Sequence, residues 1–295
     1  QRPEGGWLWK ISGNGLSHPS YLFGTYHGTY DILYQYTDSI PELHQAFNAC
    51  SQFAGESETT SKPTPAQVGA AIKLPKDTTY ADLLNKEDFH FLDSIVRQSL
   101  KSPLNKVYIK PNFLALILGE IEKGKKLVDT GYSQSRIDSM KSQVMDIALE
   151  KKAKEKGLTI VGLEGIFDAF VSEKSNLKKE ADELISDLRE DDEISPLSVV
   201  NTLSDVYRTQ NMKSLIDFEV KVDSIFRTSP KLTEIGKRIR EDLLKRRNLN
   251  WMNKIPELMK AQPTFIAVGV RHLPGKDGLI ALLLEKGYQV EPIGL

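Results

Sequence analysis

Short apolar runs stand at both ends of this chain and once near its middle, and few folds can gather such runs into one core. Trp7-Leu8-Trp9-Lys10-Ile11 and Tyr21-Leu22-Phe23 flank Gly13-Asn14-Gly15 and Pro19 with a two-residue period, which predicts a β-hairpin. Gln52-Phe53-Ala54-Gly55 and Leu158-Thr159-Ile160-Val161-Gly162-Leu163 read as short buried strands. Thr264 to Val268 predicts another strand, Asp277 a cap for a helix through Leu279 to Lys286, and Tyr288 to Ile293 a last strand. That order makes a right-handed parallel βαβ unit. The expected fold is α/β: one domain over 1–295 with a mixed, mostly parallel sheet. Two large helical insertions, about 64–156 and 176–261, would form a cap over it.

Punctuation inside the helical stretches supports this division. Ser39-Ile40-Pro41-Glu42 has the spacing of a capping box and predicts a helix to about Cys50. Leu114, Leu118, Ile121 and later Val144, Ile147, Ala148 recur at helical intervals, and Gly157 ends that run. Ser195-Pro196 and Ser229-Pro230 mark helix starts. The charge run from Lys178 to Glu193 alternates in sign and reads as a solvated helix face. Gly13 and Gly15 lack the third glycine and following helix of a nucleotide-binding loop.

Charge narrows the choice of partner. Lys and Arg number 39 against 40 Asp and Glu, a net charge of -1, which removes the electrostatic case for nucleic acid. No apolar run is longer than that from Phe113 to Leu118, which is too short to span a bilayer, and Cys50 is the single cysteine. The chain opens on Gln1 and a polar Arg2-Pro3-Glu4-Gly5-Gly6 stretch, as it would after a removed signal peptide or lipoprotein leader. Export is the expectation, periplasmic, secreted or lipid-anchored, with the cytoplasm as the alternative.

Each of four apolar runs finishes in residues that bind metals or move protons. Phe23 leads to Gly24-Thr25-Tyr26-His27, Gly55 to Glu56 and Glu58, Leu163 to Glu164, and Val268 to Gly269-Val270-Arg271-His272. Sites in open α/β sheets form beyond the carboxyl ends of the strands. The same Gly-x-x-His pattern occurs twice, and each glycine would let the chain turn sharply off its strand. Two neutral imidazoles with one or two carboxylates suit a divalent metal such as Zn, Mn or Co with a position open for water. His18, His44 and His90 read as ordinary loop or helix residues. Glu164 could instead cap a following helix, and Arg247 could lie on a solvated basic face.

These residues resemble the TraB/GumN family, which includes the TIKI metalloproteases and pheromone-shutdown proteins. The match runs through Trp7-Leu8-Trp9-Lys10-Ile11, Ser20 to His27 and Gly55-Glu56-Ser57-Glu58. It continues through Val144-Met145-Asp146 with Ala153, Gly162-Leu163-Glu164, Arg247-Asn248 with Trp251, and Val268 to Gly275. The resemblance implies a paired Gly-x-x-His site and, for the TIKI branch, a metal-dependent peptidase. By it, His27 and His272 are the family histidines, Glu56 the family glutamate, and Arg247-Asn248 a polar pair. Glu58 stands where the family often has Asp, and Arg271 where a smaller residue is expected.

The expected activity is a metal-dependent hydrolase acting on a peptide or protein. Mn, Co or Zn would be held by His27, Glu56 and His272 and would activate water. Glu58 or Glu164 would move the proton, and Arg247 with Asn248 would stabilise the oxyanion. Two alternatives stand beside it. The first is a module that sequesters a peptide or other ligand without cleaving it. The second is a metal-free His/Glu hydrolase, as the similar erythromycin-esterase-like folds suggest. If both copies of Gly-x-x-His serve one site, His27 and His272 should lie close enough to share a ligand.

Overall fold

The computed structural model describes residues 5–26, 32, 34–58, 63–167, 177–189 and 196–294. Its strands are β1 (Leu8–Gly13), β2 (Ser20–Thr25), β3 (Gln52–Gly55), β4 (Thr159–Gly162), β5 (Thr264–Gly269) and β6 (Tyr288–Ile293). The helices before β4 are α1 (Leu43–Asn48), α2 (Pro65–Ile72), α3 (Tyr80–Leu83), α4 (Lys86–Leu100), α5 (Pro111–Asp129), α6 (Gln134–Lys141) and α7 (Met145–Glu155). Those after it are α8 (Leu177–Arg189), α9 (Pro196–Arg208), α10 (Met212–Phe226), α11 (Pro230–Arg238), α12 (Arg246–Trp251), α13 (Ile255–Ala261) and α14 (Leu279–Glu285).

The sheet order is β4-β3-β5-β2-β1-β6. β4, β3, β5 and β2 run parallel, whereas β1 is antiparallel to both β2 and β6. The fold is therefore α/β with a mixed, mostly parallel sheet, as the strand spacing predicts. β5 sits inside the parallel part, and all six of its residues are buried, as expected of a strand covered on both faces. Phe53 stacks on Phe265 across β3 and β5 with ring centroids 6.3 Å apart, and Phe47 of α1 meets Phe265 edge-on at 5.1 Å.

Four local expectations change. β5 and β6 do run in the same direction, but β2 and β1 lie between them, so they are not neighbours. β4 is a half-exposed edge strand rather than a buried one. Ser39 caps no helix: its hydroxyl donates to Tyr36 O and accepts from Gln210 Nε2, and α1 begins only after Glu42. Asp277 is not the cap of α14 either, because the helix starts one residue later from Gly278. A Cβ at Gly278 would lie 2.1 Å from Pro274 O, so only glycine fits there. Ser229 does cap α11, accepting from the Leu232 amide ahead of Pro230. Ser195 lies outside the described residues.

The chain forms two compact units. One comprises 1–61, 140–169 and 196–295 and holds the sheet; the other comprises 62–139 and 170–195. Each has its own buried core. In the first, Trp7, Leu8, Phe23, Phe53, Phe265 and Leu283 pack together; in the second, Leu92, Val96, Leu104, Leu114 and Leu184 do. Among the described residues no helix is long and apolar enough to cross a membrane.

Candidate functional site

The carboxyl ends of the four parallel strands set the geometry. Thr25 lies opposite Gly269, Gly55 opposite Ala267, and Gly162 opposite Gly55. The pairing continues past the strands, where Leu163 N–H donates to Gly55 O and Glu164 N–H to Glu56 O, each at 2.9 Å. Glu56 and Glu164 thus leave neighbouring strands side by side. His272 follows β5 on a single 3₁₀ turn, Val270–His272.

Neither motif glycine acts through a left-handed turn. Gly269 has φ −51°, and Gly24 is absent from the positive-φ residues. Gly24 instead makes room, since a Cβ there would lie 2.8 Å from Val270 Cγ2. The first motif's glycine therefore packs against the second motif.

The remaining groups come from α12, which continues α11 through a π-helical stretch at Ile239–Lys245. Trp251 follows Arg247 by four residues and Asn248 by three, so it is a neighbour of each on the surface of that helix. Arg247 Nε lies 3.0 and 3.1 Å from the two Glu164 oxygens, and its Nη2 donates to both Glu56 and Glu164. The guanidinium stacks 4.7 Å over the Trp251 ring, whose indole N–H donates to Glu164 Oε2 at 3.0 Å. Burial opposes the Arg247 charge, yet the two carboxylates outweigh it and hold the guanidinium above its ordinary pKa. Glu56 Oε1 also accepts the Gly269 amide at 2.7 Å. The Arg247 side chain is only 11% exposed, so it does not lie on a solvated face, and the Glu164 carboxylate is taken up by Arg247 and Trp251.

Asn248 decides the state of His272. Its Nδ2 donates to two carbonyls, His272 O at 3.2 Å and Asp277 O at 2.8 Å, which fixes the amide orientation. Its Oδ1 then faces His272 Nδ1 at 2.7 Å and can only accept. His272 therefore carries its proton on Nδ1. The Nε2 lone pair points to Arg247 Nη1 at 3.2 Å, with Glu56 Oε1 at 3.8 Å. The His272 ring is buried and packs 4.5 Å from Trp251.

Glu56, Glu164, Arg247, Asn248 and His272 are thus brought together. Glu58 is not among them: it is partly exposed and pairs with Lys154 of α7 at 3.7 Å. Past the end of β3 the two-residue alternation no longer applies, and the Glu58 backbone runs against Gly162, where a Cβ would meet Glu58 N at 2.9 Å. His27 lies outside the described residues. Arg271 grips Glu219 of α10 with two bonds of 2.6 and 2.8 Å. Under the first motif, Thr25 donates to Asp146 Oδ1 at 2.7 Å, and buried Tyr207 donates to Gly24 O at 2.7 Å. Trp251 joins the site as a donor and a stacking surface, a role that its four-residue spacing from Arg247 signals in the sequence.

Among the described residues no group of three His, Cys, Asp or Glu side chains is arranged to hold a metal ion. Glu56 and His272 alone supply two donors, one hard oxygen and one neutral imidazole nitrogen. Asn248 on Nδ1 is the kind of outer partner that orients a metal-binding histidine. No curated protein and no solved structure matches the chain. The family model described as TraB/PrgY/gumN matches residues 7–292, and the chain belongs to that family.

Proposed function

We propose that this protein is a hydrolase of peptide bonds centred on His272. The observation that carries this reading is the Asn248 amide, which commits the His272 proton to Nδ1 and leaves Nε2 as an acceptor beside Glu56 and Arg247. A divalent ion, Mn, Co or Zn, is the proposed cofactor, with His272 and Glu56 as ligands and His27 as the third. When bound it would lower the pKa of a water to near neutrality. Arg247 supplies the oxyanion's partner: among the described residues its Nη1 contacts the His272 ring nitrogen at 3.2 Å and Leu243 O at 3.4 Å, contacts that a developing charge would replace. Glu164, held by Arg247 and Trp251, anchors that guanidinium rather than carrying the proton.

A second reading draws on the same Arg247 contact. A guanidinium already bridges Glu56 and His272, the atoms a metal ion would use. Without a metal, Nε2 takes the proton from water and Glu56 steadies the resulting imidazolium. Metal analysis by mass spectrometry on protein purified without chelators separates the two. A stoichiometric ion and chelator-sensitive release of new peptide termini are expected. Chelator-resistant cleavage by metal-free protein selects the second reading. Saturable peptide binding with no new termini under any metal overturns both, in favour of a sequestering module.

A further inference from the structure

A cleft of about 450 Å³ lies in the sheet-bearing unit, between α10, the π-helical stretch and the loop after β5. That size is typical of small-ligand sites. Ile216, Val220 and Leu244 supply its apolar surface, and Val220 is 60% exposed. Most charges around it are spent on one another. Arg271 is held by Glu219, Arg240 by Asp223, and Lys245 by Glu241 at 3.3 Å. Lys276 and Asp277, adjacent and opposite in sign, add no net charge. What is left to recognise a ligand is aliphatic surface, which favours an apolar group and gives an ionic one little net attraction. Asn248, whose Oδ1 meets His272 Nδ1, also lines the cleft.

We propose that this cleft is a specificity subsite taking an apolar side chain, aliphatic or aromatic, of a peptide substrate. The inference rests on the hydrolase reading for the word substrate, but the binding itself does not depend on turnover. Arg271 then has a defined place: by gripping Glu219 it ties the loop after β5 to α10 and forms one wall.

The test is a methyl NMR titration of the full chain with N-acetyl-leucinamide and with the amide of N-acetyl-aspartate. Saturable shifts at Ile216, Val220 and Leu244 are expected with the first, and binding at least tenfold weaker with the second. Val220→Trp should fill the cleft, abolish those shifts and leave the melting temperature unchanged, because residue 220 is on the surface. Shifts confined to other methyls, or equal binding of the charged probe, overturn the subsite. Apolar binding in a protein that cleaves no peptide leaves the subsite standing and removes the hydrolase reading. Cleavage whose residue preference is untouched by Val220→Trp does the reverse.

Discussion

At the scale of single residues, Asn248 has the largest effect for its size. It makes three short-range bonds from a side chain that is almost wholly buried. Asn248→Ala removes the fixed acceptor at His272 Nδ1, so both tautomers become populated. Loss of such an orienting partner typically costs about 10- to 100-fold in activity or metal affinity. Nitrogen-15 spectra of the ring should change from one tautomer to a mixture; a ring that keeps its proton on Nδ1 would show that Asn248 does not set it. Cys50 offers a check on burial at the same scale. Desolvation pushes its thiol up to about 12, so at pH 8 almost no thiolate exists to react. Iodoacetamide should leave the native protein unlabelled at pH 8 and modify it rapidly in urea. Rapid labelling without denaturant would contradict the buried placement.

At the scale of elements, the join between β2 and the turn after β5 is a tight point near the site. Gly24→Ala would put a methyl 2.8 Å from Val270 Cγ2 and 3.1 Å from the Val270 backbone. The backbone cannot step aside cheaply, so a loss of about 1–3 kcal/mol is expected. Gly119, inside α5, is the control: nothing lies within 4 Å of its added Cβ. Gly119→Ala should stabilise by about 0.5–1 kcal/mol through helix propensity. Urea denaturation of the two variants reads both signs. Destabilisation by both, or by neither, would remove the packing argument for Gly24.

The two cores pose the question for the whole molecule. Leu92 is fully buried in the core of the helical unit, and Phe265 in that of the sheet unit. Leu92→Ala should cost about 2–5 kcal/mol by transfer and cavity terms. If the units are separate cooperative bodies, amide exchange should accelerate in α4, α5 and α8 while β5 keeps its protection. Equal acceleration in β5 would mean that residues 1–295 unfold as the single domain which the strand spacing suggests.

Local pattern made part of this protein readable from the chain alone. The hairpin follows from the alternation around Gly13-Asn14-Gly15, α11 from Ser229-Pro230, and the grouping at the strand ends from where the apolar runs stop. These depend on neighbours a few residues away, where dihedral preference and side-chain period act directly. Other features depend on distant partners. The insertion of β2 and β1 between β5 and β6 depends on which edges are left to pair. Glu58 turns to Lys154, although it follows the same apolar run as Glu56. Arg247 enters the site, although its basic neighbours suggested solvent, because two largely buried carboxylates 83 and 191 residues away need a cation between them. A charge taken out of water must find its counterpart in space, and the packed fold decides which counterpart is within reach.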